Sequence, residues 1–353
     1  MIIGIDASNI GSGGGVNHLQ NIISNFLKLQ EIDKIILIQN FKFDLNIEND
    51  KLKIIRNWYS RITFLSFLFQ IFYHDFIFRK HQCKVIFIPG GIYIGSFSPI
   101  VSLSQNLLPY IPEESNRNKN ILFRIKLKLI RVFQITTFEK SNGVIFLHEN
   151  SKYTIQKQLK TLNESIVIPH GIINYGKSPR NKKARKFLYV SDFFEYKNHK
   201  NLIKAFNILL KKGYNLQLDL VGRIDENLID FRDICDGINL VGSINHKEVI
   251  NFYRKADVFI FPSTCENLPI ALLEAMSFGL PIISSNKEPM KSILNSNNIF
   301  FDPFNVNDIV EKIENILQNK KLENLSHLNY VDSKKYNWED CALNTFDFFK
   351  KII

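Results

Sequence analysis

The chain has 353 residues, of which 45% are hydrophobic and 22% charged, and its formal net charge is +11. This composition is typical of a well-buried globular protein and excludes a disordered chain, and the length suits two domains of about 150 residues each. The positive charge favours polyanionic partners such as nucleotide phosphates, anionic lipid headgroups or nucleic acid.

The four cysteines stand singly in the sequence, without a CxxC pair or a metal-ligand spacing. This pattern favours a reducing cytosolic compartment over a disulfide framework. The N-terminus, Met-Ile-Ile-Gly-Ile-Asp, lacks the charged region and the cleavage site of a signal peptide, and we interpret it as a first strand. The longest apolar run, Ile62–Tyr73, has 12 residues. A bilayer crossing needs about 20, so we expect no transmembrane helix.

The first predicted unit is a strand, a glycine-rich turn and a helix. The strand is Ile2–Asp6, the turn is Gly11–Gly15, and apolar residues at helical spacing between Leu19 and Leu27 indicate the helix. This order opens a doubly wound α/β domain. The glycines are too crowded for the G-x-G-x-x-G pattern, and no paired acid follows, which argues against a Rossmann dehydrogenase. A plain tight turn and a loop that faces phosphate or sugar both remain open.

Short apolar strands alternate with helices through the rest of the first half. The predicted strands are Ile35–Ile38, Lys53–Arg56, Val85–Ile88, Ile100–Leu103, Gly143–Leu147 and Ser165–Ile168, and the predicted helices are Ile62–Lys80, Ile121–Lys140 and Ser151–Lys160. The strands do not alternate polar with apolar residues, which is typical of parallel sheets buried on both faces. Gln105 and Asn106 come just after a strand, at a carboxyl edge where α/β folds bind ligands.

The composition changes between Asn174 and Lys186, where Gly, Pro, Ser and basic residues gather. We interpret residues 174–186 as a linker between a domain at 1–173 and a second α/β domain at 187–335. Helices are predicted after Asn198 and after Asn305. The predicted strands are Phe187–Val190, Gln217–Val221, Asn239–Val241, Val258–Phe261, Ile282–Ser284 and Ile299–Phe301. The two halves look alike in architecture, with a cleft between them.

Two acids, Glu266 and Glu274, stand in the stretch that organises the second domain. The strand Val258–Phe261 gives way to a loop with Glu266, and Pro269 then begins a helix that carries Glu274 and ends at Gly279. Eight helical positions rise roughly 12 Å, so these carboxylates suit separate hydroxyl clusters of one elongated ligand such as a nucleotide. The helix N-terminus between them offers free amides to a phosphate. The alternative is a solvated helix with two unrelated acids.

Further polar residues follow strands of the same domain. Lys197 lies between a strand and a helix, and Gly222 and Arg223 end another strand, so both groups are placed at carboxyl edges. Lys197 can neutralise a diphosphate as a compact charge. The alternative is a solvated lysine before a helix.

Six segments match one known pattern, and in the second half their order and spacing match together. They are Gly13–Val16, Ile168–Gly171, Tyr196–His199, Glu266–Pro281, Phe301–Pro303 and Tyr336–Glu339. Together they resemble the family 4 glycosyltransferases (glycosyl transferases group 1) of the polysaccharide and O-antigen biosynthesis type. The resemblance covers essentially the whole chain. It implies the GT-B fold, in which two Rossmann-like domains face each other across a cleft, and a closing helix at 336–353 that packs back on the first domain.

The resemblance also implies a role for each site residue. Glu274 would accept hydrogen bonds from ribose hydroxyls, Glu266 would face the transferred sugar, and Lys197 would stabilise the leaving diphosphate. Donor contacts are expected from Gly14, Gly15, Gly222, Arg223, Asn267, Leu268 and Ile270. The implied reaction is retaining, metal-independent and cofactor-free. It moves a hexose-type sugar from a nucleotide diphosphate sugar to a glycan or lipid-linked glycan, and no nucleic acid takes part.

The chain departs from the family pattern at three places. Asp192 stands five residues before Lys197, where an arginine is common, and Arg223 is a candidate replacement for that charge. Gln105 and Asn106 stand where many members have a histidine, and these amides can bind sugar but cannot act as a base. Lys291 and Ser292 stand where an acid is frequent. None of these changes removes the two glutamates or Lys197.

Basic and apolar residues alternate between Asn116 and Lys140, and aromatic residues are frequent between Trp58 and Phe78. Helices of this kind can rest on an anionic membrane surface, or they can simply bury their apolar faces in the core. We therefore expect a cytoplasmic protein, with peripheral attachment to the inner membrane face as a hypothesis.

Two other functions remain open. One is a sugar-nucleotide epimerase or hydrolase with the same fold. The other is a saccharide- or nucleotide-binding module that has lost catalysis, for which Asp192 and Gln105 are the best support. The sequence does not fix the base, the sugar, the acceptor or the linkage.

Overall fold

A computed structural model describes residues 1–11, 13–57, 69–178, 184–229, 232, 234–294, 296, 298–318 and 322–353. The chain folds as two compact units. The N-terminal unit contains Met1–Ser115, Asn120–Gly171 and Tyr336–Ile353, and the C-terminal unit contains Asn116–Lys119 and Ile172–Lys335. Three of the sequence features fall partly outside the described residues: the first seven residues of the predicted helix Ile62–Lys80, the start of the aromatic stretch at 58–68, and the basic run at 180–183.

The described part of the N-terminal unit contains a parallel sheet of seven strands in the order β3-β2-β1-β4-β5-β6-β7. The strands are β1 Ile2–Ala7, β2 Lys34–Asn40, β3 Leu52–Asn57, β4 Val85–Ile88, β5 Ile100–Ser104, β6 Gly143–Phe146 and β7 Glu164–Val167. Each lies within two residues of its predicted bounds, because buried parallel strands are short apolar runs. β1 pairs with both β2 and β4, so the order reverses at β1.

The helices of this unit cover the sheet. They are α1 Gly14–Phe26, a π-helical turn Gln70–His74 that continues into α2 Asp75–Lys80, then α3 Pro112–Ser115, α4 Ile121–Lys140 and α5 Glu149–Gln156. The predicted helix Ser151–Lys160 ends early because Gln158 and Leu159 donate to carbonyls three residues back, which tightens the chain into a turn. Within the described ranges, no helix is both long and apolar enough to cross a bilayer.

The C-terminal unit repeats this plan, with the described strands in the order β10-β9-β8-β11-β12-β13, all parallel. The strands are β8 Lys186–Val190, β9 Gln217–Val221, β10 Ile238–Gly242, β11 Val258–Phe261, β12 Ile282–Ser285 and β13 Ile299–Phe301. The helices are α6 His199–Lys211, α7 His246–Lys255, α8 Ile270–Ser277, α9 Met290–Ile293, α10 Val306–Gln318 and α11 Leu322–Ser333. This is the Rossmann strand order, and it reverses between β8 and β11.

The closing helix, α12 Trp338–Ile352, belongs to the N-terminal unit. Its Phe349 ring lies 5.8 Å from the ring of Phe26 on α1 and 5.5 Å from that of Phe87 on β4. The prediction that this helix returns to the first domain is therefore confirmed.

His170 and Gly171 lie where the chain leaves the N-terminal unit. His170 Nδ1 is 3.0 Å from His18 Nδ1, and both rings contact Trp338. Burial lowers the pKa of His170 to about 4, so the ring is neutral at neutral pH. The two rings therefore share a hydrogen bond without charge repulsion.

Substitution of Gly171 by alanine is expected to destabilise the N-terminal unit. A Cβ there would lie 2.2 Å from the backbone nitrogen of Trp338, so the start of α12 would have to move. Overpacking of this kind costs about 1–3 kcal/mol or more. Urea unfolding measures the loss, and Gly11→Ala is the control, because its nearest neighbour is a flexible lysine carbon at 3.5 Å. Equal stability of the two variants would contradict this packing.

Candidate active site

The loops after β8 and β11 lie side by side, because these strands are neighbours at the reversal of the strand order. In Rossmann sheets this is the point where ligands bind. Hydrogen bonds join the two loops. The Tyr189 hydroxyl contacts Lys197 O and Ser263 Oγ, both at 3.0 Å, and Thr264 N donates to Tyr196 O at 2.8 Å. The fold thus brings together two segments that are far apart in sequence.

This junction places Lys197 against Glu266, with Nζ 2.6 Å from Oε1. Their side chains are only 17% and 9% exposed. Burial is the largest single effect and would lower the pKa of Lys197. The charge of Glu266, the Tyr196 and Tyr189 hydroxyls and the hydrogen bond to Glu266 together outweigh burial and raise this pKa. Lys197 is therefore a fixed positive charge, held in place by the acid predicted to face the sugar.

Asn198, the residue after this lysine, has an unusual backbone conformation and is anchored to another loop. Asn198 adopts the left-handed conformation, with φ of 59°, which asparagine tolerates better than most residues. Its side-chain amide donates to Pro303 O at 2.6 Å, and Asn201 donates to the same oxygen at 3.0 Å. The Tyr196–His199 and Phe301–Pro303 segments, which are about 100 residues apart in sequence, are thus in direct contact.

Glu274 lies on α8, and its carboxylate contacts two side chains of α7. The Tyr253 hydroxyl donates to Oε2 at 3.0 Å, and His246 Nε2 lies 2.9 Å from Oε1. Glu274 is only 8% exposed, and these partners offset part of the cost of burying its carboxylate. Each carboxylate oxygen can accept two hydrogen bonds, which leaves acceptor positions for ligand hydroxyls.

The contact between His246 and Glu274 predicts a pH-dependent stability. The hydrogen bond to Glu274 raises the pKa of His246 from its usual value, against burial and together with the attraction of the Glu274 charge. A raised pKa adds stability below the unfolded-state value, about 6.5, and this stability is lost as the pH rises through the folded value. The melting temperature of the wild type should therefore exceed that of His246→Gln most at acidic pH. The gap should shrink as the pH rises, and a gap that widens with pH would contradict this.

Gly222 and Arg223 meet Asp192 at the neighbouring strand end. Gly222 has φ of +144°, and a Cβ there would lie 2.2 Å from Ser191 O, so only glycine fits. Arg223 N donates to Asp192 Oδ1 at 2.8 Å, and its guanidinium lies 3.4 Å from Oδ2. Asp192 thus holds the arginine that is the candidate replacement for the family's usual cation.

The predicted phosphate-binding amides lie where α8 begins. Leu272 N and Leu273 N both donate to Pro269 O, at 3.1 and 3.2 Å, so the helical bonds start there. The N–H groups of Asn267, Leu268 and Ile270 precede these bonds, in the position from which a helix N-terminus offers donors. Pro269 is the N-cap of α8 and not its first residue, one position from the predicted start.

The remaining predicted residues lie in the N-terminal unit and come together there. An added Cβ at Gly15 would lie 3.0 Å from Gln105 Oε1, so the glycine turn, which also includes Gly14, packs on the loop after β5. Asn106 Oδ1 accepts from Leu108 N at 3.1 Å. The buried Gln105 Nε2 has no hydrogen-bond partner among the described residues.

The structure adds three residues that the sequence reasoning missed: Tyr253, His246 and Arg117. Arg117 belongs to the short segment Asn116–Lys119 of the C-terminal unit. Its Nη1 donates to Thr264 Oγ1 at 2.8 Å, and the guanidinium lies 5.0 Å from the centre of the Phe304 ring. Arg117 thus brings a further positive charge to the loop that carries Glu266, because Thr264 precedes Glu266 by two positions in the sequence. In the described part of the chain, no group of three or more His, Cys, Asp or Glu side chains is arranged to hold a metal ion.

Comparison with known proteins agrees with this geometry. The family model "Glycosyl transferases group 1" matches residues 173–329. An uncharacterized glycosyltransferase of Haemophilus influenzae is 27% identical over 97% of this chain and 96% of its own length. The capsular polysaccharide biosynthesis glycosyltransferase CapH of Staphylococcus aureus is 24% identical over 72% of this chain and 71% of its own length.

Solved structures show the same fold. Sucrose-phosphate synthase of Thermosynechococcus elongatus superposes with a TM-score of 0.80 over 100% of this chain and 99% of its own, at 16% identity. HepE of Anabaena, solved in complex with UDP and glucose, has a TM-score of 0.75 over 99% of both chains, at 13% identity. The predicted GT-B fold is confirmed. The protein is therefore a glycosyltransferase, and its residues 173–329 match the glycosyl transferases group 1, the family that the sequence resembles.

Proposed function

We propose that this glycosyltransferase moves one sugar from a nucleotide diphosphate sugar to a glycan acceptor during surface polysaccharide synthesis. The observation that carries the proposal is the ion pair between Lys197 and Glu266 at the ligand-binding edge of the C-terminal unit. Glu274 follows on the next helix of the same segment. The similarity to CapH supports a role in polysaccharide synthesis, and the UDP and glucose of HepE support the class of donor.

In this proposal the donor binds along the loop and helix that follow β11. Glu274 accepts hydrogen bonds from the ribose hydroxyls, and the Tyr253 hydroxyl keeps the carboxylate in position by donating to Oε2. The amides at the start of α8 donate to the diphosphate, where the positive end of the helix dipole adds attraction. Lys197 and Arg223 supply the positive charge, and for this reason we propose that the reaction needs no metal ion.

The transfer breaks the bond between the anomeric carbon and the diphosphate oxygen, and the acceptor hydroxyl oxygen bonds to that carbon with retention of configuration. The proton of the acceptor hydroxyl passes to the departing diphosphate. The electron pair of the broken bond goes to the diphosphate, so negative charge grows there in the transition state. A fixed, largely buried cation such as Lys197 stabilises this charge more than it stabilises the bound donor. Glu266 keeps that cation in position and faces the sugar.

We propose that the acceptor is a lipid-linked glycan and that the N-terminal unit binds it. Support comes from Gln105 Nε2, a buried donor whose partner is not found among the described residues. Buried donors are nearly always hydrogen-bonded, so a hydroxyl of a bound glycan would complete this site.

Mass spectrometry of the donor with and without acceptor tests the proposal. The purified protein is incubated with UDP-, GDP-, ADP- and dTDP-sugars, alone and with glycolipid extracted from the organism that makes the chain. One sugar should be added to the glycolipid, with nucleoside diphosphate released and with no loss of activity in EDTA. A changed or hydrolysed donor in the absence of acceptor would favour the epimerase or hydrolase. Nucleotide binding without any turnover would favour an inactive binding module.

A further inference from the structure

The long helix α4 contacts the core of its unit through only one narrow stripe. Its buried residues are Leu127, Gln134, Thr137 and Phe138. Phe138 packs against Phe146, with ring centres 6.4 Å apart, within a cluster that includes Leu107 and Tyr110. The apolar residues of α4 that fill the core are therefore few, although the helix is rich in apolar residues.

The opposite face of α4 carries large apolar side chains that are exposed. We call this set the outward stripe: Ile121, Leu122, Ile125, Leu129 and Val132, which are 48% to 77% exposed. At about 100° per residue these five side chains fall within a sector of about 100°, and Leu127, Gln134 and Phe138 point roughly the other way. A continuous exposed apolar stripe marks a surface that contacts something other than water.

Positive charges border the outward stripe. Lys126 and Lys128 are exposed and lie on its two sides by the same helical geometry, and Arg124 and Arg131 lie further round. The acid of this helix is Glu139, near its far end, where it accepts a hydrogen bond from Lys160 N at 2.7 Å. The face is thus apolar in the middle and cationic at its edges.

The helix α2 adds aromatic side chains close by. Phe72, in the π-helical turn, and Phe76 lie one helical turn apart and are 73% and 59% exposed. α2 and α4 contact the same loop, because the Tyr93 hydroxyl donates to Asp75 of α2 and Tyr93 N donates to Thr137 of α4 at 2.9 Å. Two neighbouring elements of the N-terminal unit therefore both expose large apolar groups.

We propose that the outward stripe of α4 is a docking surface for an anionic lipid bilayer, with the helix lying in the plane of the headgroups. The apolar side chains would enter the boundary of the acyl chains, and each flanking lysine would attract anionic headgroups. A second copy of the chain fits this face less well. Symmetric pairing of two stripes would bring the bordering lysines and arginines of both helices together. The proposal does not require the transferase reaction, because binding to lipid needs neither donor nor acceptor.

Co-sedimentation of the full chain with lipid vesicles tests the docking surface. Vesicles of phosphatidylcholine alone are compared with vesicles that also contain phosphatidylglycerol. The wild type should bind the anionic vesicles, and Leu122→Ser/Leu129→Ser should weaken this binding by about tenfold or more. Lys126→Ser/Lys128→Ser should reduce the preference for anionic over neutral vesicles. All of these side chains are exposed, so melting temperatures should stay unchanged.

Matched controls keep the result specific. Leu343→Ser changes an exposed leucine on α12 of the same unit, and Lys204→Ser/Lys211→Ser removes two exposed lysines from α6. Both controls should bind as the wild type does. The proposal is overturned if the wild type ignores anionic vesicles or if the stripe variant binds them normally. It is also overturned if light scattering shows a dimer that the stripe variant dissociates while lipid binding is absent.

Discussion

Replacement of Lys197 by methionine is expected to slow sugar transfer by about 10²–10³-fold, the usual effect of removing one group that stabilises transition-state charge. Nucleotide affinity should fall much less, because the lysine contributes most when charge builds on the leaving diphosphate. Steady-state kinetics should therefore show the loss mainly in kcat and only slightly in KM.

The variant also leaves Glu266 without its cation, and breaking a largely buried ion pair typically costs about 3–5 kcal/mol. Lys197→Met/Glu266→Gln removes the unpaired charge and should recover stability without recovering the rate. Lys200→Met is the control, because that lysine is exposed on α6 three positions further on. Wild-type kinetics in folded Lys197→Met would contradict the role of this lysine.

The second large effect is expected from Glu274→Gln, which should weaken nucleotide binding by about 10- to 100-fold. A hydrogen bond to a charged group contributes about 1.5–3 kcal/mol, and the amide keeps the shape while losing the charge and one acceptor. The loss should be of similar size for the nucleoside diphosphate and for the complete donor, because the ribose is common to both. Isothermal titration measures it.

Two further variants separate the binding role from folding. Tyr253→Phe removes the hydroxyl that holds Glu274 Oε2, and it should weaken binding less than Glu274→Gln because the carboxylate remains. Glu311→Gln, on the exposed side of α10, should leave nucleotide binding unchanged. Equal nucleotide affinity of Glu274→Gln and the wild type would show that Glu274 does not bind the ribose.

The fold was largely predictable because buried parallel strands leave short apolar runs that glycine, proline and polar residues separate. The contact between Lys197 and Glu266 was less accessible. These residues are 69 positions apart, and they meet because β8 and β11 are adjacent at the strand reversal. Sequence placed both at carboxyl edges, but their pairing depends on strand order, which local patterns do not encode.

The partners of Glu274 were missed because α7 was not predicted. A signal was present: Asn245 and Glu248 form a capping box, and Val249 and Tyr253 stand four residues apart on the buried face. Most of its other residues are polar, and its remaining apolar residues, Ile250 and Phe252, are only partly buried, so its apolar pattern is weak. The outward stripe of α4 shows the converse limit. From the sequence alone, the residues of this stripe could equally belong to the hydrophobic core. Only the fold shows which apolar face of α4 is buried and which is exposed.

The most direct test of the central claim is hydrogen exchange measured by mass spectrometry with and without each of UDP, GDP, ADP and dTDP. One of these nucleotides should slow exchange in peptides that span residues 191–198 and 263–277, and Glu274→Gln should greatly reduce this protection at the same nucleotide concentration. If protection were confined to other parts of the chain, or were unchanged in Glu274→Gln, the claim that these segments bind the donor would be contradicted.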